Sequence, residues 1–264
     1  MNSSFKDGVQ FAWDATSLTS AMTCPRKYYY SNVLGIQPKG RSAHLVFGGH
    51  YASALEHFHK FRATGMDTHE ATIATVRKAM IDSWAEPIPE GVPAKNRFSL
   101  IRSIVWYIEH FGSPDDNAPQ TYHLVDGKPA VELSFSFELS STTILCGHLD
   151  QVVEFQGDKF VMDQKTTGSA LSTYYFTQFD LDNQMSCYSL AGSVILDTPV
   201  KGVIIDAAQI GVNFTRFARG FTFRNKAQLA EWTQNVNDVI MRMHQYHDQD
   251  FYPMNLSACG NYGG

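Results

Sequence analysis

The chain lacks most of the features that would place it outside the ordinary globular class. Only four of its 264 residues are cysteine, Cys24, Cys146, Cys187 and Cys259, and no two are close in sequence. With no secretory segment before them, they argue against a disulfide-stapled scaffold. No apolar run approaches the ~18 residues of a membrane span. Met1-Asn2-Ser3-Ser4-Phe5-Lys6-Asp7 lacks the apolar stretch of a signal peptide. The expected location is therefore the cytoplasm, with no membrane partner. Positive charge is not in excess: 21 Lys and Arg against 26 Asp and Glu give a net charge of −5. That argues against a broadly basic nucleic-acid coat protein. There is no internal repeat, no low-complexity segment and no break strong enough to divide the chain, so residues 1–264 are expected to form one domain.

What is present is more specific. One stretch is locally basic: Arg216, Arg219, Arg224 and Lys226 occur with no acid between Ala207 and Ala230, interleaved with Phe214, Phe217, Phe221 and Phe223. It reads either as a DNA-binding groove or as a solvated strand face with core phenylalanines. The first 120 residues read as mainly helical, with a short helix opened by Ala15-Thr16-Ser17-Leu18. Longer helices are expected at 48–65, 68–85 and 97–111, with proline-containing loops at 86–93 and 112–119. From Val131 to Leu139 apolar and polar residues alternate strictly, the pattern of a half-buried strand. Strands at 143–155 and 159–166 follow, then a helix over 174–195. A buried strand from Gly202 to Ala208, an alternating strand at 217–224 and a helix over 226–247 close the chain. The expectation is an α/β fold with a mixed central sheet flanked by helices, a helical portion at 1–120 and an α/β core at 130–250.

The chemistry concentrates between Gly147 and Thr167. Gly147-His148-Leu149-Asp150 leads into a hairpin that returns to Asp163-Gln164-Lys165-Thr166-Thr167. The hairpin brings Asp150 and Asp163 together. The two-residue repeat of a strand puts Asp163 and Lys165 on one face. Two carboxylates and an amine on one face suit metal-assisted hydrolysis of a phosphodiester. Downstream, Gln184 and Tyr188 are four residues apart and share a helix face.

In this order the elements resemble the PD-(D/E)XK nuclease superfamily, and more narrowly its RecB-type exonuclease branch. That branch includes phage exonucleases and the iron–sulfur nucleases of CRISPR adaptation. The resemblance rests on Gly-x-x-Asp ending at Asp150, Asp-x-Lys-Thr at Asp163 to Thr166, and Gln-x-x-x-Tyr at Gln184 to Tyr188, and it covers residues 16–262. It implies a restriction-endonuclease-like core and a Mg²⁺- or Mn²⁺-dependent deoxyribonuclease, an exonuclease in the first instance. Such an enzyme would act in recombination, repair or phage DNA processing, in a bacterial or phage-infected cell, on duplex ends or single strands and beside recombination or replication proteins. The alternative is a weak or inactive DNA-binding scaffold with the same fold, or an interaction protein that co-opts it.

The resemblance also implies roles. Asp150 and Asp163 would hold the metal with the Gln164 carbonyl, Lys165 would orient the attacking water, and Gln184 and Tyr188 would position Lys165 or the DNA. A family pattern places a histidine on the upstream helix, but aligning Gly48, Leu55 and Glu56 puts Ala52 there. Either His50 reaches the metal or Glu56 compensates, and Glu56 is preferred; His57 and His59 are expected on the helix surface. Glu132 is either a further acid of the site or an outward strand residue. Cys24-Pro25-Arg26-Lys27-Tyr28 and the segment Pro253 to Tyr262 resemble the cysteine-bearing ends of the iron–sulfur branch, in which four cysteines hold a [4Fe–4S] cluster. Cys24 and Cys259 would then be ligands in a longer parent chain, or stand close and unligated.

Overall fold

The computed structural model describes residues 4–6, 8–112 and 118–259; the Cys259 side chain lies outside the described set. Two short strands, β1 (Phe5–Lys6) and β2 (Val9–Gln10), precede β3 (Ala12–Trp13) and the helix α1 (Ala15–Thr23). Asp14 starts α1 by accepting from Ser17 N, while the Ser17 hydroxyl accepts from Asp14 N, a reciprocal cap. Pro25 opens α2 (Pro25–Tyr28), which runs into a wide π-helical turn to Val33. Then come α3 (Ala43–Ala63), α4 (Thr68–Ala85) and α5 (Arg97–Phe111), the last two capped by the Asp67/Glu70 and Asn96/Ser99 pairs. The strands β4 (Gln120–Thr121), β5 (Val131–Ser140), β6 (Thr143–Phe155) and β7 (Asp158–Thr167) follow.

The expected helix at 174–195 is two helices, α6 (Thr173–Thr177) and α7 (Asn183–Ile195). Asp182 causes the break, because its side chain accepts from Met185 N and so starts a new helix rather than continuing the old one. The chain ends with β8 (Gly202–Ile210), β9 (Thr215–Thr222), α8 (Lys226–Asp248) and α9 (Leu256–Cys259).

Among the described residues seven strands form one sheet around β6. Along one edge β6 pairs with β5 and β4, both antiparallel. Along the other, its start pairs with β3 in parallel at Ile144 and Leu145, and its end pairs with β7 from Gln151 to Phe155. Between Leu145 and Gln151 no strand among the described residues takes up that second edge, and Asp150 lies in the gap. β7 continues to β8 in parallel and β8 to β9 antiparallel. The mixed sheet with helices on both faces is the α/β architecture expected from the sequence. One face packs on α1, α7 and α8 around Leu18, Val161, Met185, Ile205 and Val236. The other packs on α3 and α5 around Phe47, Leu55, Leu100, Ile104 and Ala208. No helix among the described residues is long and apolar enough to cross a membrane.

Candidate active site

The opening in β6 positions the first acid. The β6–β7 ladder stops at Gln151 and Met162, and beyond it the strands part. Into that opening the Asp150 carboxylate reaches across to accept from Gln164 N at 2.9 Å. Gly147, three residues earlier, allows the approach of the neighbouring strand: a Cβ there would lie 2.8 Å from the Phe135 ring. The strand repeat then sorts β7. Val161, Asp163 and Lys165 face α7, and Met162 and Gln164 face the α3 side.

Asp163 is 1% exposed. Lys165 Nζ donates to its Oδ1 at 2.9 Å and lies 2.7 Å from Oδ2. The same ammonium donates to Gln184 Oε1 at 2.9 Å, and Gln184 Nε2 donates to the Tyr188 hydroxyl at 2.9 Å. The four-residue spacing on α7 thus yields one continuous line from Asp163 through Lys165 and Gln184 to Tyr188. Burial pushes the Asp163 carboxyl up to about 6, against the pull of the Lys165 charge. Burial also raises the Asp150 carboxyl, partly offset by the Gln164 N–H. Lys165 moves the other way from its own burial: the charges of Asp163 and Asp150 outweigh desolvation and hold the ammonium above its ordinary value. Lys165 is therefore a fixed cation beside two carboxylates that resist ionisation.

The helix α3 supplies the second wall. Ala52, Glu56 and His59 line a small cavity with Glu132, Asp150, Gln151 and Gln164. Glu56 is there, also paired with Lys60 one turn on. His50 is not. It faces α4, where its Nε2 lies 2.8 Å from the Glu86 carbonyl, because a two-residue offset from Ala52 turns it some 200° around the helix. His59 departs from the surface position expected of it. It sits three residues past Glu56 on the same face, its Nε2 is buried, its Nδ1 is 3.3 Å from Thr121 Oγ1, and burial pulls the imidazole down to about 4. The sequence held the signal, since residues i and i+3 share a helix face. Glu132 stands at this cavity, raised by burial and then by the charge of Glu56.

The basic stretch is not one patch. Strand alternation puts Arg216 and Arg219 on opposite faces of β9. Arg219 is half-buried against the buried Asp206, at 3.2 Å from Nε to Oδ1, with Phe111 3.7 Å beneath its guanidinium and Tyr107 hydrogen-bonded to the same carboxylate. Arg224 donates to the Phe179 carbonyl at 2.9 Å, to Ser186 Oγ at 2.9 Å and to Thr222 Oγ1 at 2.7 Å, a structural brace. Arg216 and Lys226 remain exposed.

At the far end the segments 23–26 and 252–255 meet. Arg26 donates through its backbone N to Pro253 O and through Nε to Tyr252 O, and Asn255 Nδ2 donates to Thr23 O at 2.8 Å. Cys24 is buried there. Burial raises its thiol, but the N–H groups of Asn255, Lys27 and Arg26 outweigh this and hold it below its ordinary value. Cys187 lies in the core on α7, where burial pushes its thiol up to about 12; Cys146 lies on β6. Asn255 N donates to Cys24 Sγ at 3.4 Å, and Cys24 is the one described cysteine side chain at this corner, where a [4Fe–4S] cluster takes four ligands. The described residues do not by themselves make that cluster's site.

Residues 12–261 match the model of the PD-(D/E)XK nuclease superfamily. The chain belongs to that superfamily. Among solved structures, a candidate exonuclease from Eubacterium rectale shares this nuclease fold. It aligns at 11% identity over 94% of this chain and 85% of its own, with a TM-score of 0.52. The structure of SSO0001 aligns at 12% identity over 90% and 78% of the two chains, with a TM-score of 0.38. No curated protein matches. Within this nuclease superfamily member, the donors around Asp150 suit a hard cation. They are carboxylate and amide oxygens, and Asp163 Oδ2 and Gln151 Oε1 are buried without a hydrogen bond of good geometry. Among the described residues no three His, Cys, Asp or Glu side chains already converge at ligand distance.

Proposed function

We propose that this chain is a deoxyribonuclease that hydrolyses phosphodiester bonds with a divalent cation, Mg²⁺ or Mn²⁺, and that it acts as an exonuclease in DNA recombination, repair or phage DNA processing. The observation that carries the reading is the line Asp163–Lys165–Gln184–Tyr188 beside Asp150, in a chain of the PD-(D/E)XK superfamily. The neighbour from Eubacterium rectale supports an exonuclease within that class.

Asp150, Asp163 and the Gln164 carbonyl would hold the cation, with Glu56 at the edge of the set. When bound, it supplies a Lewis acid that stabilises negative charge on the phosphate. The protein's own residues do the rest. Lys165 stays protonated and presents its charge where the phosphate would gain negative charge. Gln184 fixes the ammonium and is itself fixed by the Tyr188 hydroxyl, so the charge does not have to be ordered during the reaction. Exposed Arg216 and Lys226 are the members of the basic stretch free to meet a DNA backbone.

The test is cleavage of linear, closed circular and single-stranded DNA with Mg²⁺ or Mn²⁺, by the parent protein and by Asp163→Asn and Lys165→Ala. The expected outcome is degradation of linear but not closed circular DNA, reduced at least ~100-fold in both variants. Equal cleavage by all three proteins would overturn the assignment of the site. No cleavage by the parent with either metal would favour a DNA-binding scaffold.

A further inference from the structure

Two acid-free stretches of the chain meet on a surface that the reading above touches only at Arg216. From Gly91 to Ile108 and from Ala207 to Ala230 the sequence holds cations but no Asp or Glu, in a chain of net charge −5. Arg102 on α5 clamps the two together. Its guanidinium donates to the carbonyls of Gly211, Val212 and Phe214 at 2.7, 2.8 and 3.1 Å. Beside it the Ser103 and Thr215 hydroxyls are hydrogen-bonded at 2.9 Å.

This surface is aromatic as well as basic. Phe98, Arg102 and Trp106 are four residues apart and share one face of α5. Phe98 is 76% exposed, Trp106 39%, and Phe214, in the turn after β8, 40%. Single exposed aromatics are common, but a row of them marks a binding surface. Two of the three rings carry a guanidinium: Arg102 lies 5.4 Å from the centre of Trp106, and Arg216 lies 5.1 Å from that of Phe214. Glu109, one turn past Trp106, is the first acid beyond the row.

The row leads to the site. Arg216 pairs with Gln209, and Gln209 with Thr167, so Arg216 stands two strands over from β7 on the sheet face of Asp163 and Lys165. Sheet spacings put its Cα roughly 12 Å from that of Lys165. From Arg216 the row passes round the β8–β9 turn to α5 on the opposite face.

We propose that this row is a track for single-stranded DNA, on which one strand lies as it approaches the site. The inference rests on the nuclease reading for the identity of the polymer. Bases stack on Phe98, Trp106 and Phe214, and the phosphates meet Arg216. Stacking needs unpaired bases, because a duplex hides their faces. The charge favours a nucleic acid over a protein partner: an apolar protein surface would strip water from the guanidinium groups and return no anion.

The experiment is fluorescence titration of the full chain with oligo(dT) of about 15 nucleotides in EDTA. Phe98→Ala, Trp106→Ala, Trp106→Phe and Arg216→Gln are titrated alongside. Oligo(dT) should quench the tryptophan emission of the parent, and Trp106→Ala should lose most of that quench. Phe98→Ala and Trp106→Ala should each bind at least about fivefold more weakly, and Trp106→Phe close to the parent. Arg216→Gln should lower the slope of log affinity against log salt by about 0.7. An equal loss of affinity for a blunt duplex would show a general effect on charge or folding and overturn the track. Affinity for oligo(dT) unchanged in Phe98→Ala and Trp106→Ala would also overturn it, and leave the row to a protein partner. The nuclease reading would then stand alone if the parent cleaved DNA and Asp163→Asn did not. A parent that cleaves no DNA with either metal, yet loses oligo(dT) affinity in both alanine variants, would overturn the nuclease reading and keep the track.

Discussion

At the scale of single residues, Lys95 shows what the fold tolerates away from the site. It is 3% exposed, makes no hydrogen bond through Nζ and rests 4.3 Å above the Phe47 ring. Burial pulls its amine down to about 8 from an ordinary 10.5. The sign follows from proton counting. Between about pH 8 and 10.5 the unfolded chain holds a proton the folded one has released, so stability rises with pH across that window. Below pH 8 the full cost of a buried charge remains. Lys95→Met should therefore stabilise the protein at pH 7 by on the order of 1–3 kcal/mol and flatten the alkaline rise, as urea unfolding at pH 7 and pH 10 would measure. The composition gave no hint of this lysine, because nothing local distinguishes a buried lysine from a solvated one. Asp163, Lys165, Gln184 and Tyr188 were legible for the opposite reason. Their relations are set by the two-residue strand repeat and the four-residue helix repeat, both local. Asp206 and Arg219 were not, because their pairing depends on the register of β8 against β9.

At the scale of elements, the site depends on how closely β5 and β6 approach. Phe135 and Gly147 are direct partners in that ladder, and the ring occupies the space a side chain would need. Gly147→Ala should cost about 1–3 kcal/mol in thermal unfolding. Phe135→Leu in the same chain should recover part of it, whereas no recovery would mean that backbone conformation sets the cost. The long helices were legible to within a few residues, since proline-rich loops and capping residues bound them. The division of α6 from α7 was not: the apolar pattern runs through it, and only the Asp182 cap reveals the restart. β3 was missed because two residues carry no period.

At the scale of the whole molecule, residues from Trp13 to Tyr29 and the segment at Tyr252 are fastened to one corner. Trp13 stacks on Tyr28, Tyr29 stacks on Tyr252, and Arg26 reaches Tyr252 across 226 residues of chain. This arrangement dictates an order of events in time. As the chain is synthesised, β3 and α1 emerge well before Leu145, their strand partner, and Arg26 emerges long before Tyr252. Contacts that close the longest loops form last. The hairpin of Asp150 and Asp163, by contrast, has all its parts within one short stretch. Pulse-labelling hydrogen exchange during refolding should show amides of 151–165 protected before those of 12–28; simultaneous protection would contradict this order. A nascent copy would then hold its acidic hairpin together while the indole of Trp13, fully buried in the finished fold, is still bare, so the corner shared by residues 13–29 and 252 is the last apolar surface to close.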